Sequence, residues 1–442
     1  MAGSLLAVLL ARRGFSVSLY DRRTDPRTGP AESGRSINLA LAARGIRALK
    51  HAGVMDEVRP LLIQMRGRRV HTLSGDTSLL PYGWQPDEVI HSVGRSALTR
   101  LLVEAAARYP NVSLSFGQTC LGASARENLI RFRDEAADDT YDVALTPTIG
   151  ADGAGSVLRD SLVADGFLQA RQEPLDHDYK ELSLPPVNGQ PVLDVNALHV
   201  WPRGGFMLIA LPNTDGSFTA TLFLARAGTS SFAALKTPAQ VHEFFAREFP
   251  DAAPLIPDLL TEFFEHPQGQ LGTVHAAPWH VGGKVLLLGD AAHAIVPFHG
   301  QGMNAAFEDC ITFDELLDRH EDWEPLFAEF DRRRRPNAQA IAQMALENYI
   351  EMRDTVLDPR FQRYKAMSVE LERRFPRRFI PRYSMVMFHP EISYADALER
   401  GKAQLEILAA LDEKPTASGA MDLALADSLI HARLTPMGFA PA

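Results

Sequence analysis

At 442 residues, with 46% hydrophobic and 23% charged residues and a formal net charge of -10, the chain is long enough for two or three domains and a large buried core. That acidity argues against a nucleic-acid partner, which needs a basic face. Two cysteines, neither in a metal-ligand spacing, exclude a disulfide framework, leave no zinc site and fit a reducing cytoplasm. No apolar run approaches the ~20 residues that span a bilayer, so no membrane partner is expected.

Gly3 to Arg13 reads as a helix, apolar on nearly every face and therefore buried, ending at Gly14. It is not a signal peptide, because no positive charge precedes its apolar part and no small-residue cleavage site is in place. Phe15 to Tyr20 reads as a strand, with Asp21 at its end, where a dinucleotide fold places the acid for the adenosine ribose hydroxyls. The full pattern is strand, G-x-G-x-x-G, helix, strand, acid. If Gly3 is the third glycine, the first strand and the first two glycines are missing from the sequence. Losing a central strand, at ~1.5–3 kcal/mol per buried branched residue, is comparable with a domain's net stability of ~5–15 kcal/mol. A chain beginning at Met1 is therefore expected to fold poorly or to hold a nucleotide weakly; the alternative is a plain N-terminal helix with no phosphate role.

Gly34 to Ala40 leads into a helix with Arg44, Gly45 and Leu49, and Arg35 in that loop is placed to neutralise a pyrophosphate. Met65 to His71 alternates like a strand and turns at Gly75-Asp76, before Pro81-Tyr82-Gly83. Val89 to Val93 is a strand, and Arg95 opens a helix with Leu98, Leu101, Leu102 and Ala105 at helical spacing. Val112 to Phe116 and the alternating residues around Ile130 and Phe132 read as further strands of the same sheet. Ile149 to Arg159 is a strand ending in Asp152 and glycines, then a short helix.

From Asp160 to Ala277 the chain is β-rich. Phe206 to Leu211 and Ser217 to Leu224 flank a hairpin signal at Asn213 to Gly216, and Thr237 to Gln240 is a capping box with proline at the first helical position. This block reads as a sheet with a covering helix, suited to roofing a substrate cavity.

The stretch from Lys284 to Cys310 organises the rest. Val285 to Leu288 is a buried strand closed by Gly289 and Asp290, an acid at a strand's carboxyl end. Gly300 and Gly302 let backbone approach a ligand, and the helix beginning near Met303 and Asn304 offers free N–H groups to anionic or carbonyl oxygens. The combination suits a flat, partly anionic cofactor. From Trp323 the chain is mostly helical; Arg332 to Arg335 reads as a solvated face or the partner of an internal acid patch, and the tail after Pro415 as loosely ordered.

GDAAHA followed by P-x-x-G-Q-G-M-N, with GADGAGSVLR at 150 to 159, resembles two FAD fingerprints of the para-hydroxybenzoate-hydroxylase-like flavin monooxygenases. GRSINLAL at 34 to 41, MRGRRVH at 65 to 71, PYG at 81 to 83, PFHGQGMNAAFEDC at 297 to 310, ENYIEMRD at 347 to 354 and RYSMVMF at 382 to 388 are similar to the kynurenine-hydroxylating branch of that family, and the likeness covers nearly the entire chain.

The resemblance implies an α/β fold. A Rossmann-like FAD-binding domain lacking its first strand, 1–159 and 278–322, is interleaved with a mixed β-sheet substrate domain, 160–277, and followed by a helical region, 323–442. It implies FAD, held at Gly3, Asp21, Arg23, Arg35, Ala40, Arg95, Asp152, Asp290, Gly302, Met303 and Asn304, with NADPH as reductant. L-kynurenine and molecular oxygen are the implied substrates, with substrate contacts at Arg68, Tyr82, Asn348 and Tyr383 and with Phe298 and His299 beside ring and substrate; no metal is implied. The protein is then a cytoplasmic monomer or homodimer. Two other readings stay open: a hydroxylase of phenols or benzoates, separated by a substrate survey, and an inactive truncated relic, separated by absence of flavin colour.

Overall fold

The computed structural model describes residues 1–29, 38–355, 358–416 and 420–438. The chain opens with α1 (Ala2–Arg12), buried from Ser4 to Ala11, and turns at Gly14 with φ +88°. β1 (Val17–Asp21), β2 (Asn38–Leu41), α2 (Ala43–His51), the single turn α3 (Met55–Val58), β3 (Leu62–Met65), β4 (Gly67–His71), β5 (Thr77–Pro81) and β6 (Ile90–Gly94) follow. α4 (Arg95–Ala107) returns the chain to β7 (Val112–Phe116), which pairs with β1 in parallel.

β8 (Gln118–Ser124), β9 (Leu129–Asp134) and β10 (Asp139–Ala144) form an antiparallel sheet of their own. This corrects the expectation that Ile130 and Phe132 extend the β7 sheet. Asn128 and Asp138, at φ +60° and +51°, make tight turns, whereas a parallel partner needs a crossover of about a dozen residues or more. β11 (Thr148–Gly150) and α5 (Val157–Ala164) come next; Ser156 caps α5 by accepting from the Arg159 N–H.

β12 (Gln169–Leu184), β13 (Leu198–Pro202), β14 (Met207–Pro212) and β15 (Phe218–Ala225) carry a hairpin at Gly216, φ +83°. The Thr237–Gln240 capping box opens α6 (Pro238–Glu248), and α7 (Leu259–Glu265) follows. β16 (Gly269–Ala277), β17 (His280–Val281) and β18 (Val285–Leu287) lead back, β18 pairing in parallel with β11. The large sheet runs β16-β12-β15-β14-β13-β4-β5, so the hairpin from 67 to 81 joins the strands of the 160–277 block. Burial between that sheet and α6 places Trp201, Phe218, Phe244 and Phe245 in one core.

α8 (Asp290–His293), α9 (Gly302–Leu316), α10 (Trp323–Ile350), α11 (Pro359–Arg374), α12 (Arg382–Phe388), α13 (Tyr394–Glu413) and α14 (Leu423–Arg433) complete the chain. The α/β class, the mixed sheet and the helical carboxyl-terminal region are as expected. The tail after Pro415 is not loose throughout. Asp422 caps α14 through the Ala424 and Leu425 N–H groups, and Ala426 and Ile430 bury against Ile407, Leu408 and Leu411. No described helix is long and apolar enough to cross a membrane.

Candidate active site

The carboxyl ends of β1, β11 and β18 meet around the start of α1. A Cβ on Gly3 would stand 3.5 Å from Ala151 and 3.9 Å from Leu19, and one on Gly289 would stand 3.8 Å from Ala2. Asp21, the last residue of β1, and Asp152 and Asp290, just past β11 and β18, therefore lie at the end of the fold where α1 starts with no side-chain cap. Asp21 pairs with Arg23 at 2.8 Å; Asp152 accepts from Ser156 Oγ at 2.6 Å; Asp290 is exposed after Gly289, whose φ is +61°. Burial, and then Arg23, push the Met1 amino group below its ordinary pKa, and Arg95 acts on it too, which places both arginines at this end of the fold. Arg35 lies outside the described residues.

Gly300 has φ +64°, and a Cβ there would stand 2.8 Å from that of Ala40. α9 begins two residues on at Gly302, with no side-chain cap from Gln301, so Met303 sits on an open helix N-terminus. The Asn304 side chain is bonded within the fold. Its Oδ1 accepts from the Ala42 and Gly45 N–H groups at 2.9 and 3.2 Å, and its Nδ2 donates to the Ala40 and Gly300 carbonyls at 2.8 Å each. The side chain is used to fasten β2 and α2 to the glycine loop, which leaves backbone for a ligand. A left-handed glycine against Ala40, two uncapped helix starts and three strand-end acids suit a dinucleotide with an oxygen-rich ring, so these residues fit FAD.

A buried ion network ties this loop to the carboxyl-terminal helices. Arg334 donates from Nε to Asp309 at 2.6 Å and from Nη1 to Glu308 at 2.7 Å, and Arg44 meets the other Glu308 oxygen at 2.5 Å. Asp309 accepts from the Gly289 N–H at 3.0 Å and from His293 at 2.7 Å, while Arg44 donates to the Ile392 carbonyl. Burial pushes both carboxyls up, yet the paired cations hold them below their ordinary pKa. Arg334 is thus the member of the basic run that meets the Glu308–Asp309 patch, whereas the exposed Arg332 and the half-buried Arg335 pair along their own helix with Glu329 and with the buried Asp331.

Arg68, Tyr82, Asn348 and Tyr383 come together from β4, the turn after β5, α10 and α12. Arg68 is 8% exposed; its Nη2 donates to Asn348 Oδ1 at 3.2 Å, and its guanidinium lies 4.9 Å from the centre of the Tyr383 ring. Tyr82 and Tyr383 stack at 5.8 Å, and His299 stacks on Tyr383 at 5.2 Å. Phe298 lies against Tyr349 at 3.8 Å and edge-on to Phe223, and its carbonyl accepts from Asn348 Nδ2 at 2.6 Å. Burial raises both tyrosine hydroxyls and pushes His299 down to about 3, so all three are neutral at pH 7. Arg68 Nε and His299 Nδ1 are buried without a partner among the described residues.

Sequence reasoning did not single out Glu351. It closes on Arg68 Nη1 at 3.0 Å from a π-turn, Glu351–Thr355, that ends α10. Its place three residues after Asn348, on the same helix face, was the available signal.

Residues 1–345 match the family described as FAD binding domain. The kynurenine 3-monooxygenase of Stenotrophomonas maltophilia (strain K279a) is 48% identical over 435 residues, 98% of this chain and 95% of that one. That of Xanthomonas axonopodis pv. citri (strain 306) is 47% identical over 438 residues, 99% and 96% of the two chains. Among solved structures, the tetrameric form of 2-methyl-3-hydroxypyridine-5-carboxylic acid oxygenase aligns with TM-score 0.64 at 19% identity, over 81% of this chain and 91% of that one. Pseudomonas aeruginosa PqsL in complex with 2-aminobenzoylacetate gives 0.62 at 19%, over 80% and 94%. These two share the fold. On the sequence matches, the chain belongs to the kynurenine 3-monooxygenase family of FAD-dependent monooxygenases.

Proposed function

We propose that the protein hydroxylates L-kynurenine to 3-hydroxykynurenine, with FAD bound and with NADPH and molecular oxygen as co-substrates. The observation that carries this is the Arg68–Glu351 pair beneath two stacked tyrosines. A zwitterionic amino-acid head brings a carboxylate for Arg68 and an ammonium for Glu351, so binding buries no unbalanced charge. A benzoate brings only the negative half and leaves Glu351 without a counter-ion.

Tyr82 and Tyr383, neutral because buried, donate to the substrate carboxylate beside Arg68. Asn348 already joins the guanidinium to the Phe298 carbonyl, and so it sets the substrate's head against its ring site. Phe298, Tyr349 and Phe223 form the apolar wall for the aromatic half and exclude water from it. Bound FAD supplies the chemistry: reduction by NADPH and delivery of one oxygen atom of O2 to the electron-rich ring carbon beside the amine.

We assign FAD contacts to Gly3, Asp21, Arg23, Ala40, Arg95, Asp152, Asp290, Gly302, Met303 and the Asn304 backbone. Segments 1–159 and 278–322 form the flavin domain, 160–277 the substrate sheet and 323–442 its helical cover, with β4 and β5 lent to the sheet by the first segment. We assign the protein to the cytoplasm as a monomer or homodimer; two free cysteines fit a reducing compartment. The test is a titration of the flavin-loaded protein followed by flavin absorbance. Saturable perturbation by L-kynurenine and none by 4-hydroxybenzoate is expected; the reverse overturns the proposal.

A further inference from the structure

The β4–β5 hairpin carries Arg68 and runs directly into Tyr82. It joins the rest of its sheet through three parallel pairs, Arg68 to Val70 against Leu198 to Val200. Behind that short ladder, on the face of β4 opposite Arg68, stands a chain of buried polar groups. His71 Nδ1 lies 2.8 Å from Asp251 Oδ2, His71 Nε2 lies 2.9 Å from His199 Nδ1, and His199 Nε2 lies 2.9 Å from the Asp194 carbonyl oxygen. Trp201 Nε1 donates to the same Asp251 oxygen at 2.9 Å and stacks on His71 at 4.1 Å. His71 and His199 are 4% and 1% exposed.

What each end of the chain can do fixes its protons. A carbonyl oxygen only accepts, so His199 donates from Nε2, and a neutral His199 then presents a lone pair at Nδ1. His71 fills that lone pair with its Nε2–H. A neutral His71 would then turn a second lone pair, at Nδ1, toward a carboxylate oxygen 2.8 Å away. The chain closes only with one proton more than two neutral imidazoles and a carboxylate hold, lying between His71 Nδ1 and Asp251 Oδ2. Burial, with the neighbouring His71, holds His199 down to about 4, so it is the neutral member. Burial raises the Asp251 carboxyl, but bonds from His71 and Trp201 hold it below its ordinary value.

Of the other charges facing the chain, Arg69 is paired elsewhere, and Arg203 acts on Asp251 itself. Arg69, beside His199, pairs with the Asp194 carboxylate at 2.8 Å. Arg203 donates to the His71 carbonyl at 3.1 Å and to the Glu248 carbonyl, while the Glu248 carboxylate pairs with Arg247.

We propose that Asp251, His71 and His199 are positioning residues for substrate binding: one stored proton locks the Arg68–Tyr82 hairpin onto β13, and its loss at alkaline pH weakens substrate binding without altering the flavin chemistry. The leaving proton passes to solvent beside Asp251, whose side chain is 27% exposed although its Oδ1 is buried, and the opposed lone pairs then part. The substrate half of this proposal rests on the kynurenine assignment; the stored proton does not.

Two measurements on the flavin-loaded protein test it. With 15N-labelled histidine, the His71 signals, assigned by their loss in His71→Gln, are expected to show both ring nitrogens protonated at neutral pH, with His199 a neutral Nε2–H tautomer. A neutral His71 overturns the proposal. In kynurenine turnover against pH, kcat/KM is expected to fall on the alkaline side while kcat stays level. In Asp251→Asn, whose amide nitrogen donates to His71 Nδ1 without the extra proton at the cost of the Trp201 Nε1–H bond, that fall disappears; a fall that persists overturns the positioning role. His71→Gln raises KM about tenfold and leaves kcat within about twofold. If that variant does not fold, the Asp251→Asn profile still decides. A charged His71 in a protein that turns over benzoates and not kynurenine overturns the substrate assignment and supports the stored proton, so the two failures are distinguishable.

Discussion

Glu351 meets Arg68 Nη1 at 3.0 Å, while Asn348, one helical turn earlier, takes Nη2 of the same guanidinium at 3.2 Å. The cation of the substrate site is thus balanced before any substrate arrives. Burial lowers the Arg68 pKa, but Tyr383 and Glu351 outweigh it and hold the group above its ordinary value, so the guanidinium stays charged. A ligand that replaces this contact gains most when it carries both signs.

Glu351→Gln keeps the shape and removes the charge. A hydrogen bond to a charged group contributes ~1.5–3 kcal/mol, so KM for L-kynurenine is expected to rise about 10- to 100-fold, with a smaller change in kcat. The desamino analogue, which has no ammonium, is expected to lose little. Steady-state kinetics with both compounds check this, and equal losses contradict it.

Arg334→Met leaves Glu308 and Asp309 buried with a cation removed, a change that costs about 3–5 kcal/mol. Because Asp309 also holds the Gly289 N–H in front of Asp290, flavin retention is expected to fall together with stability. Denaturant midpoints and the ratio of flavin to protein absorbance, measured on the same samples, check both. A destabilised protein with full flavin content contradicts the link.

Gly300→Ala places a Cβ 2.8 Å from that of Ala40, on a residue with φ +64°. The left-handed conformation alone costs a non-glycine residue roughly 1–2 kcal/mol. The glycine loop shifts to relieve this, and FAD affinity is expected to fall about 5- to 30-fold. Apoprotein titration with FAD measures it.

His299 and His199 are pushed down to about 3 and about 4 by burial, against an unfolded value of 6.5. Between these limits the unfolded chain binds protons that the folded chain does not. Stability is therefore full above pH 6.5 and falls as pH drops, by about 1.4 kcal/mol per pH unit for each imidazole, until the folded-state values are reached. The depressed Glu308 and Asp309 carboxyls act in the same direction at still lower pH. Urea unfolding at pH 7, 6 and 5 is expected to show this decline, and a level profile contradicts the burial of neutral histidines.

The local elements were legible because their signals are local. The glycine after α1, the capping box at Thr237, the hairpin at Gly216 and the acid after β18 each follow from one or two residues. Pairing between distant segments was not legible. Ile130 and Phe132 have the alternation of any strand, and nothing in them says whether the partner is β7 or the next hairpin. Nor does MRGRRVH reveal that β4 joins β13, more than a hundred residues on. Asn304 lies in the first turn of α9, and its side-chain bonds depend on where α2 packs. Glu351 was missed because a carboxylate near the end of a helix is usually solvated, and only the fold brings Arg68 to it.

The most direct test of the central claim is product analysis of the flavin-loaded protein with NADPH, oxygen and either L-kynurenine or 4-hydroxybenzoate. The predicted result is NADPH oxidation coupled to 3-hydroxykynurenine, abolished in Arg68→Ala and absent with the benzoate. Coupled hydroxylation of the benzoate, with kynurenine inert, would contradict the assignment of Arg68 and Glu351 to a zwitterionic substrate.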